Sequence, residues 1–247
     1  MLLLKFISRR WWFATLLVIA ASLVMARLGI WQLDRLEQRR AFNAQFTAAR
    51  AQPPLDLNKD VPADLALMEW RAVTFTGEYD FANQVAVRNQ YYGNEYGYHL
   101  LTPLLSNGTA VLVDRGWIPA DGNATPADWR KYDEPGQVAV TGQIRLGQAK
   151  PALGGVADAL PADGNKLAVW NNANVEQIAL QMPYPILGIY LQPAADPADA
   201  TPPIPYQPEI ELTEGPHFGY ALQWFTFTAI LLIGYPFFVR KQETTRS

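Results

Sequence analysis

The chain contains no cysteine, two histidines and four serines. The missing cysteines exclude disulfides, thiolate zinc sites, iron–sulfur clusters, covalently attached c-type haem and a cysteine nucleophile. They leave the redox compartment open, because a cysteine-free chain tolerates either. The serines, Ser8, Ser22, Ser106 and Ser247, sit in no nucleophile elbow and beside no histidine in a recognisable pattern. A phosphate-cradling Gly-Lys-Ser/Thr loop and a dinucleotide fingerprint are lacking too. Aspartates and glutamates scatter over the loops without ligand spacing. The expectation is therefore a protein that is not an enzyme. The net charge of -3 gives no basic footprint for nucleic acid.

Charge itself is missing from two runs near the ends. From Phe218 to Val239 there are 22 residues without a charge. At ~1.5 Å per residue such a helix is ~33 Å long, enough for a bilayer core of ~30 Å. The other run, Trp11 to Ala26, follows Lys5, Arg9 and Arg10. It reads either as a signal peptide with Val24-x-Ala26 as its cleavage site or as an uncleaved span over residues 11–33. Arg27 falls near the far end of that span, where a long side chain can snorkel to the headgroups. Trp11, Trp12 and Trp31 form an aromatic belt at its two ends, and the uncleaved span is the reading taken. Lys and Arg are absent from Leu167 through Val239, and Arg240, Lys241 and Arg246 follow. The positive-inside rule then puts the 240–247 tail and, with two spans, the N-terminus in the cytoplasm. The expectation is a multi-pass protein of a bacterial inner membrane, touching lipid, with an extracytoplasmic middle.

Apolar residues Leu33, Leu36, Ala41 and Ala44 continue the first helix to about Arg50, where Pro53-Pro54 ends it. Residues 55–208 read as β-rich. Trp70 to Tyr79 alternates apolar and polar residues, the period of a half-buried strand. Gln84 to Arg88 follows, then a turn at Tyr91-Tyr92-Gly93-Asn94. Tyr96 to Leu104 and Thr109 to Ile118 form a hairpin across Asn107-Gly108. Pro119 to Gly136 is a polar loop. Gln137 to Leu146 is a strand whose Thr141-Gly142 echoes Thr76-Gly77, a hint that the two strands pair. A loop to Asn165, a short strand at Leu167 to Trp170, a short helix over 174–182 and a strand at Pro185 to Leu191 complete the domain. Pro193 to Pro208, with six prolines in 16 residues, reads as an extended connector. The fold class is an α+β membrane protein. Two transmembrane helices flank a mostly antiparallel β sheet or partial barrel with short helices.

His217, just before the second run, has three readings: an interfacial histidine, a metal or haem-iron ligand, or a proton relay. Helical spacing puts Tyr220, Ala221, Trp224 and Thr228 on its face. Small Ala221 between aromatics would leave a slot for a flat ligand, or the stripe packs against the first span. Arg27 is either a snorkelling anchor or a partner for a propionate or headgroup. Arg115, followed by Gly116 and Trp117 at a strand end, binds an anion or an acidic partner surface, or pairs with a carboxylate such as Asp114 or Asp121. His99, among tyrosines in a strand, reads as a satisfied sheet histidine.

Five blocks carry a resemblance. They are Leu28-Gly29-x-Trp31-Gln32-Leu33-x-Arg35, Thr76-Gly77, and Gly97-Tyr98 with Thr102-Pro103-Leu104. The fourth is Val113-Asp114-Arg115-Gly116-Trp117-Ile118-Pro119. The fifth is Gly215-Pro216-His217-x-x-Tyr220-Ala221-x-Gln223-Trp224-Phe225. In this order they resemble the surfeit locus protein 1 family end to end, except that Asp114 stands where Asn is commoner and residues 147–165 match nothing. The resemblance implies a factor that assembles haem-copper cytochrome c oxidase. It implies haem a binding with His217 on the iron, assisted delivery to oxidase subunit I, and haem A synthase as a further candidate partner. On that reading Tyr220, Trp224 and Trp31 contact the ring, Arg27 a propionate, and Arg115 with Trp117 a partner. The alternative is a scaffold that stabilises oxidase assembly intermediates without a cofactor.

Overall fold

The computed structural model describes residues 6–151, 154–161, 164–195, 200–205 and 210–245. Lys5 and Arg246, counted above in the basic flanks, lie outside the described residues, as do 196–199 and 206–209 of the proline-rich connector. In chain order the elements are α1 (Trp12–Ala51), β1 (Leu55–Asp56), β2 (Ala72–Tyr79), β3 (Val85–Tyr92), β4 (Glu95–Ser106), β5 (Thr109–Pro119), α2 (Pro126–Trp129), β6 (Gln137–Leu146), β7 (Val169–Trp170), α3 (Val175–Leu180), β8 (Ile186–Pro193) and α4 (His217–Thr244). They form two units, Met1–Gln45 with Glu211–Ser247, and Phe46–Ile210.

The first unit is an antiparallel helical hairpin. Its contacts run in opposite chain order along the two helices. Trp11 Nε1 donates to Glu243 at 3.1 Å, and Thr15 and Tyr235 share a hydroxyl hydrogen bond of 2.7 Å. Further along, Gly29 faces Phe225, and Arg40 forks onto Glu214 with two contacts of 2.8 Å. On α1 the seam positions Thr15, Ser22, Gly29 and Leu36 recur every seven residues, the spacing that keeps two helices in contact along their length. Gly29 is required by closeness: a Cβ there would come within 2.6 Å of the Phe225 ring. The outward faces are apolar, with Leu16, Leu23, Leu222, Ile233 and Phe237 each more than half exposed. So much exposed aliphatic and aromatic surface is unfavourable in water and suits a lipid surround. Both helices are long and apolar enough to cross a membrane.

The second unit is a closed barrel. Hydrogen bonding runs β2-β6-β8-β5-β4, and β4 returns to β2 through Glu78↔Leu105 and Tyr79↔Leu104. Closure needs a residue without a side chain at Gly77, where a Cβ would lie 2.3 Å from the Leu105 carbonyl oxygen. The echo between Thr76-Gly77 and Thr141-Gly142 does mark paired strands, since β2 and β6 run antiparallel with Thr74 opposite Thr141. The Asn107-Gly108 turn has φ of 48° and 79°, the left-handed pair that joins twisted strands in two residues. Pairing is mostly antiparallel; β1–β2, β3–β7 and β5–β8 are parallel. Alternate residues of β2 point inward, so Val73 and Phe75 meet Val111, Val113, Ile144 and Leu191 in the barrel core. At ~1.5–3 kcal/mol for each large apolar side chain fully buried, this core supports a domain that no disulfide can brace. Outside the ring, β3 adds to β4, and α3 packs Val175 and Ile178 against Trp170.

Two segments depart from the sequence reading. The polar loop Pro119 to Gly136 contains α2, started by a reciprocal Thr125–Asp128 capping box and ending in fully buried Trp129. Four helical residues are too few to show periodicity. The proline-rich connector also joins the sheet. Ile204 and Trp117 exchange backbone hydrogen bonds of 2.7 and 2.8 Å, and Gly116, at φ 121°, leaves room for the Ile204 backbone.

Candidate functional site

His217 opens α4 immediately after Gly215-Pro216, where proline's fixed φ sets the chain up for the helix and the first N–H groups have no intrahelical partner. Its Nδ1 lies 2.8 Å from Gln32 Oε1 on α1. An amide oxygen only accepts, so Nδ1 carries a proton and donates to Gln32. Among the described residues Nε2 makes no hydrogen bond. The imidazole is thereby held in one orientation, with Nε2 available. A partner on the second ring nitrogen is the usual support of a metal-bound histidine.

The aromatics divide by exposure. Tyr220 and Trp31 are 49% and 43% exposed. Trp31 lies beneath the Arg35 guanidinium, 5.6 Å from its ring centre. Trp224 is half-buried and meets Phe227 edge-on at 6.3 Å. Ala221 is 1% exposed, so its side chain is covered rather than open to a flat ligand. Arg27 is exposed and pairs with Asp34 at 3.9 Å. It precedes Gln32 by five residues, about 7.5 Å of helix rise and about 140° of turn, so it shares neither level nor face with the residue that holds His217. Gln32 is the site residue that sequence reasoning passed over. Its signal was available: it follows Gly29 by three positions and so lies on the packed face of α1.

Arg115 and Trp117 sit inside the barrel unit. Arg115 is the extra residue of a β-bulge, because Leu100 pairs with Gly116 and Leu101 with Asp114. Its guanidinium lies over the adjoining Tyr79 and Phe81 rings at 5.2 and 5.1 Å and donates to Gln84, to the Tyr132 carbonyl and to Glu134. The carboxylate it finds is thus Glu134, not Asp114 or Asp121. Trp117 is 2% exposed and packs on Tyr92. Buried this far, neither side chain presents surface to a partner. His99 is also buried, with Nδ1 2.9 Å from both oxygens of Asp114. Burial works against its charged form, but the charge of Asp114 and its hydrogen bond outweigh that and raise the histidine pKa.

The sequence profile of the SURF1 family matches residues 19–229. The chain belongs to the SURF1 family. Curated relatives span comparable lengths. An uncharacterised SURF1-like protein of Mycobacterium tuberculosis is 29% identical over 98% of this chain and 89% of its own length. A SURF1-like protein of Monosiga brevicollis is 27% identical over 91% of this chain and 87% of its own. The cytochrome oxidase assembly protein SHY1 of Saccharomyces cerevisiae is 30% identical over a shorter stretch, 41% of this chain and 27% of the yeast protein. The matched span in the SURF1 family includes Gly29, Gln32, the barrel and His217.

Proposed function

We propose that this SURF1 protein is a non-catalytic assembly factor for haem-copper cytochrome c oxidase, binding haem a and assisting its delivery to subunit I, with haem A synthase as a further partner. Its two helices span a bacterial inner membrane with both termini in the cytoplasm and the barrel outside. Family membership supports the assembly role. One observation carries the cofactor reading: the His217 ring is oriented by Gln32 with Nε2 unengaged, an imidazole nitrogen of the kind iron takes. Bound haem would supply the iron centre that the oxidase requires. This chain's residues would hold it, His217 on the metal and Tyr220, Trp31 and Trp224 against the ring. The test is the absorbance of protein purified from a host that makes haem a. Wild type is expected to carry haem that His217→Ala lacks; equal haem in both sinks the ligand assignment.

The burial of Ala221 favours a second reading, a scaffold for oxidase intermediates without a cofactor. It predicts that co-purification with subunit I survives His217→Ala undiminished.

A further inference from the structure

The strands on both sides of His99 carry a bulge, and each bulge turns a polar residue toward it. On β5 the extra residue is Arg115, so Asp114 opposes Leu101. Without the bulge Asp114 would oppose Thr102 and point to the other face, because a one-residue slip reverses every side chain. On β3, Val87 opposes His99 but Gln90 opposes Gly97, with Asn89 at φ 64° absorbing the extra residue. In register, Gln90 would face Tyr96 and point away. Bulges recur beside functional sites because they re-aim side chains. Two of them converging on one histidine are more than a strand needs.

His99 borders a cavity of about 280 Å³. Val87, Leu101 and Ala173 supply apolar wall; Gln90, Tyr91 and Tyr190 supply amide and phenol groups. Asp114 is fully engaged, accepting from His99, from the Gly116 N–H at 3.1 Å and from Gln192 at 3.4 Å. It therefore orients the imidazole rather than facing a ligand, and His99 Nε2 has no hydrogen-bond partner among the described residues. Burial, with the nearby charge of Asp114, pushes the Tyr190 phenol up to about 12, so it stays a neutral donor. The His99–Asp114 pair sums to no net charge when the ring is protonated, and no other charged side chain lines the cavity. Among the described residues no three His, Asp or Glu side chains converge as a metal would need. What the lining offers is a fixed hydrogen-bonding nitrogen, two amides, two phenols and a short apolar wall.

We propose that this cavity binds a small uncharged aromatic molecule bearing a carbonyl or carboxamide, with His99 Nε2–H donating to the carbonyl oxygen and the bulge residues Asp114 and Gln90 setting the geometry. The site lies wholly within the second unit, on the outer face of the barrel sheet beside α3, and stands independently of haem binding at His217.

The chain's two histidines make the test direct, since ring-labelled protein gives two imidazole signals. Full-length protein in detergent is titrated with benzamide. A saturable shift of the His99 signal with His217 unmoved is expected. Benzoate should bind at least about tenfold more weakly, because a carboxylate would enter beside Asp114 while the nearest cations, His99 and Arg145, are already paired with Asp114 and Glu69. Ala173→Leu fills the wall and leaves the dyad in place; it should weaken benzamide by at least about tenfold. The proposal is overturned by a His99 signal that does not move at millimolar benzamide. It is equally overturned by benzoate binding as tightly as benzamide, or by Ala173→Leu binding benzamide as wild type does.

Discussion

The helical hairpin and the barrel each hold one histidine, and in both Nδ1 is tied to a side-chain oxygen at 2.8–2.9 Å. The partners differ. His217 meets the neutral amide of Gln32 at the partly exposed start of a helix, and His99 meets the carboxylate of Asp114 inside a sheet. A neutral acceptor orients the ring and leaves Nε2 without a protein partner, the arrangement that supports a metal-bound histidine. A buried carboxylate favours the proton on the ring, suited to donating a hydrogen bond. The same side chain in nearly the same geometry is thus set to two chemistries by the charge of one neighbour.

The largest way to break this contrast is to remove that charge. Asp114→Leu leaves a buried histidine without its partner and is expected to cost ~3–5 kcal/mol, read as a lowered denaturant midpoint of the barrel. If Gln32→Leu costs as much, the two environments are not distinct. The hairpin has its own sensitive point in Gly29. Gly29→Leu drives a side chain into Phe225 and should cost ~1–3 kcal/mol of helix packing. In this cysteine-free chain a Thr15→Cys, Tyr235→Cys pair bridged by a short bismaleimide reports it as reduced cross-linking.

A pH series sharpens the comparison. His99 has a raised pKa in the folded state, so its contribution to stability is full below the ordinary histidine value of 6.5. It is lost as pH rises through the folded-state value. Barrel stability should therefore fall from mildly acidic to alkaline pH in wild type, and Asp114→Asn should flatten that dependence; an equally steep fall in the variant rules the pair out as its source. Gln32→Leu should leave unfolding within ~1 kcal/mol of wild type yet reduce haem retained by purified protein, since it frees the imidazole to turn. The smallest effect belongs to Arg40→Ala. Its fork to Glu214 is exposed on both sides, so no measurable change in unfolding midpoint is expected.

Much of the fold was legible because its signals are local. Uncharged runs announce the helices, Pro53-Pro54 stops α1, Asn107-Gly108 turns the hairpin, and period-two alternation marks β2 and β6. Barrel closure was not legible, because Glu78↔Leu105 joins strands through two residue pairs that no local pattern encodes. The burial of Arg115 and Trp117 was hidden for a similar reason. Their surroundings come from Tyr79, Phe81, Glu134 and Tyr92, distant in sequence. At the site, His217 stood out by its place at the end of an uncharged run, whereas Gln32 is separated from it by 185 residues.

By itself the sequence determined the composition of each element and its neighbours along the chain: two apolar helices, an alternating set of strands, two histidines and no thiol. Hydrophobic period and turn chemistry act over a few residues, and they suffice for that. Only the tertiary structure decided what each histidine faces. That depends on strand register and helix pairing, where one bulge residue moves Asp114 from one face of the sheet to the other and so decides whether His99 has a charge beside it.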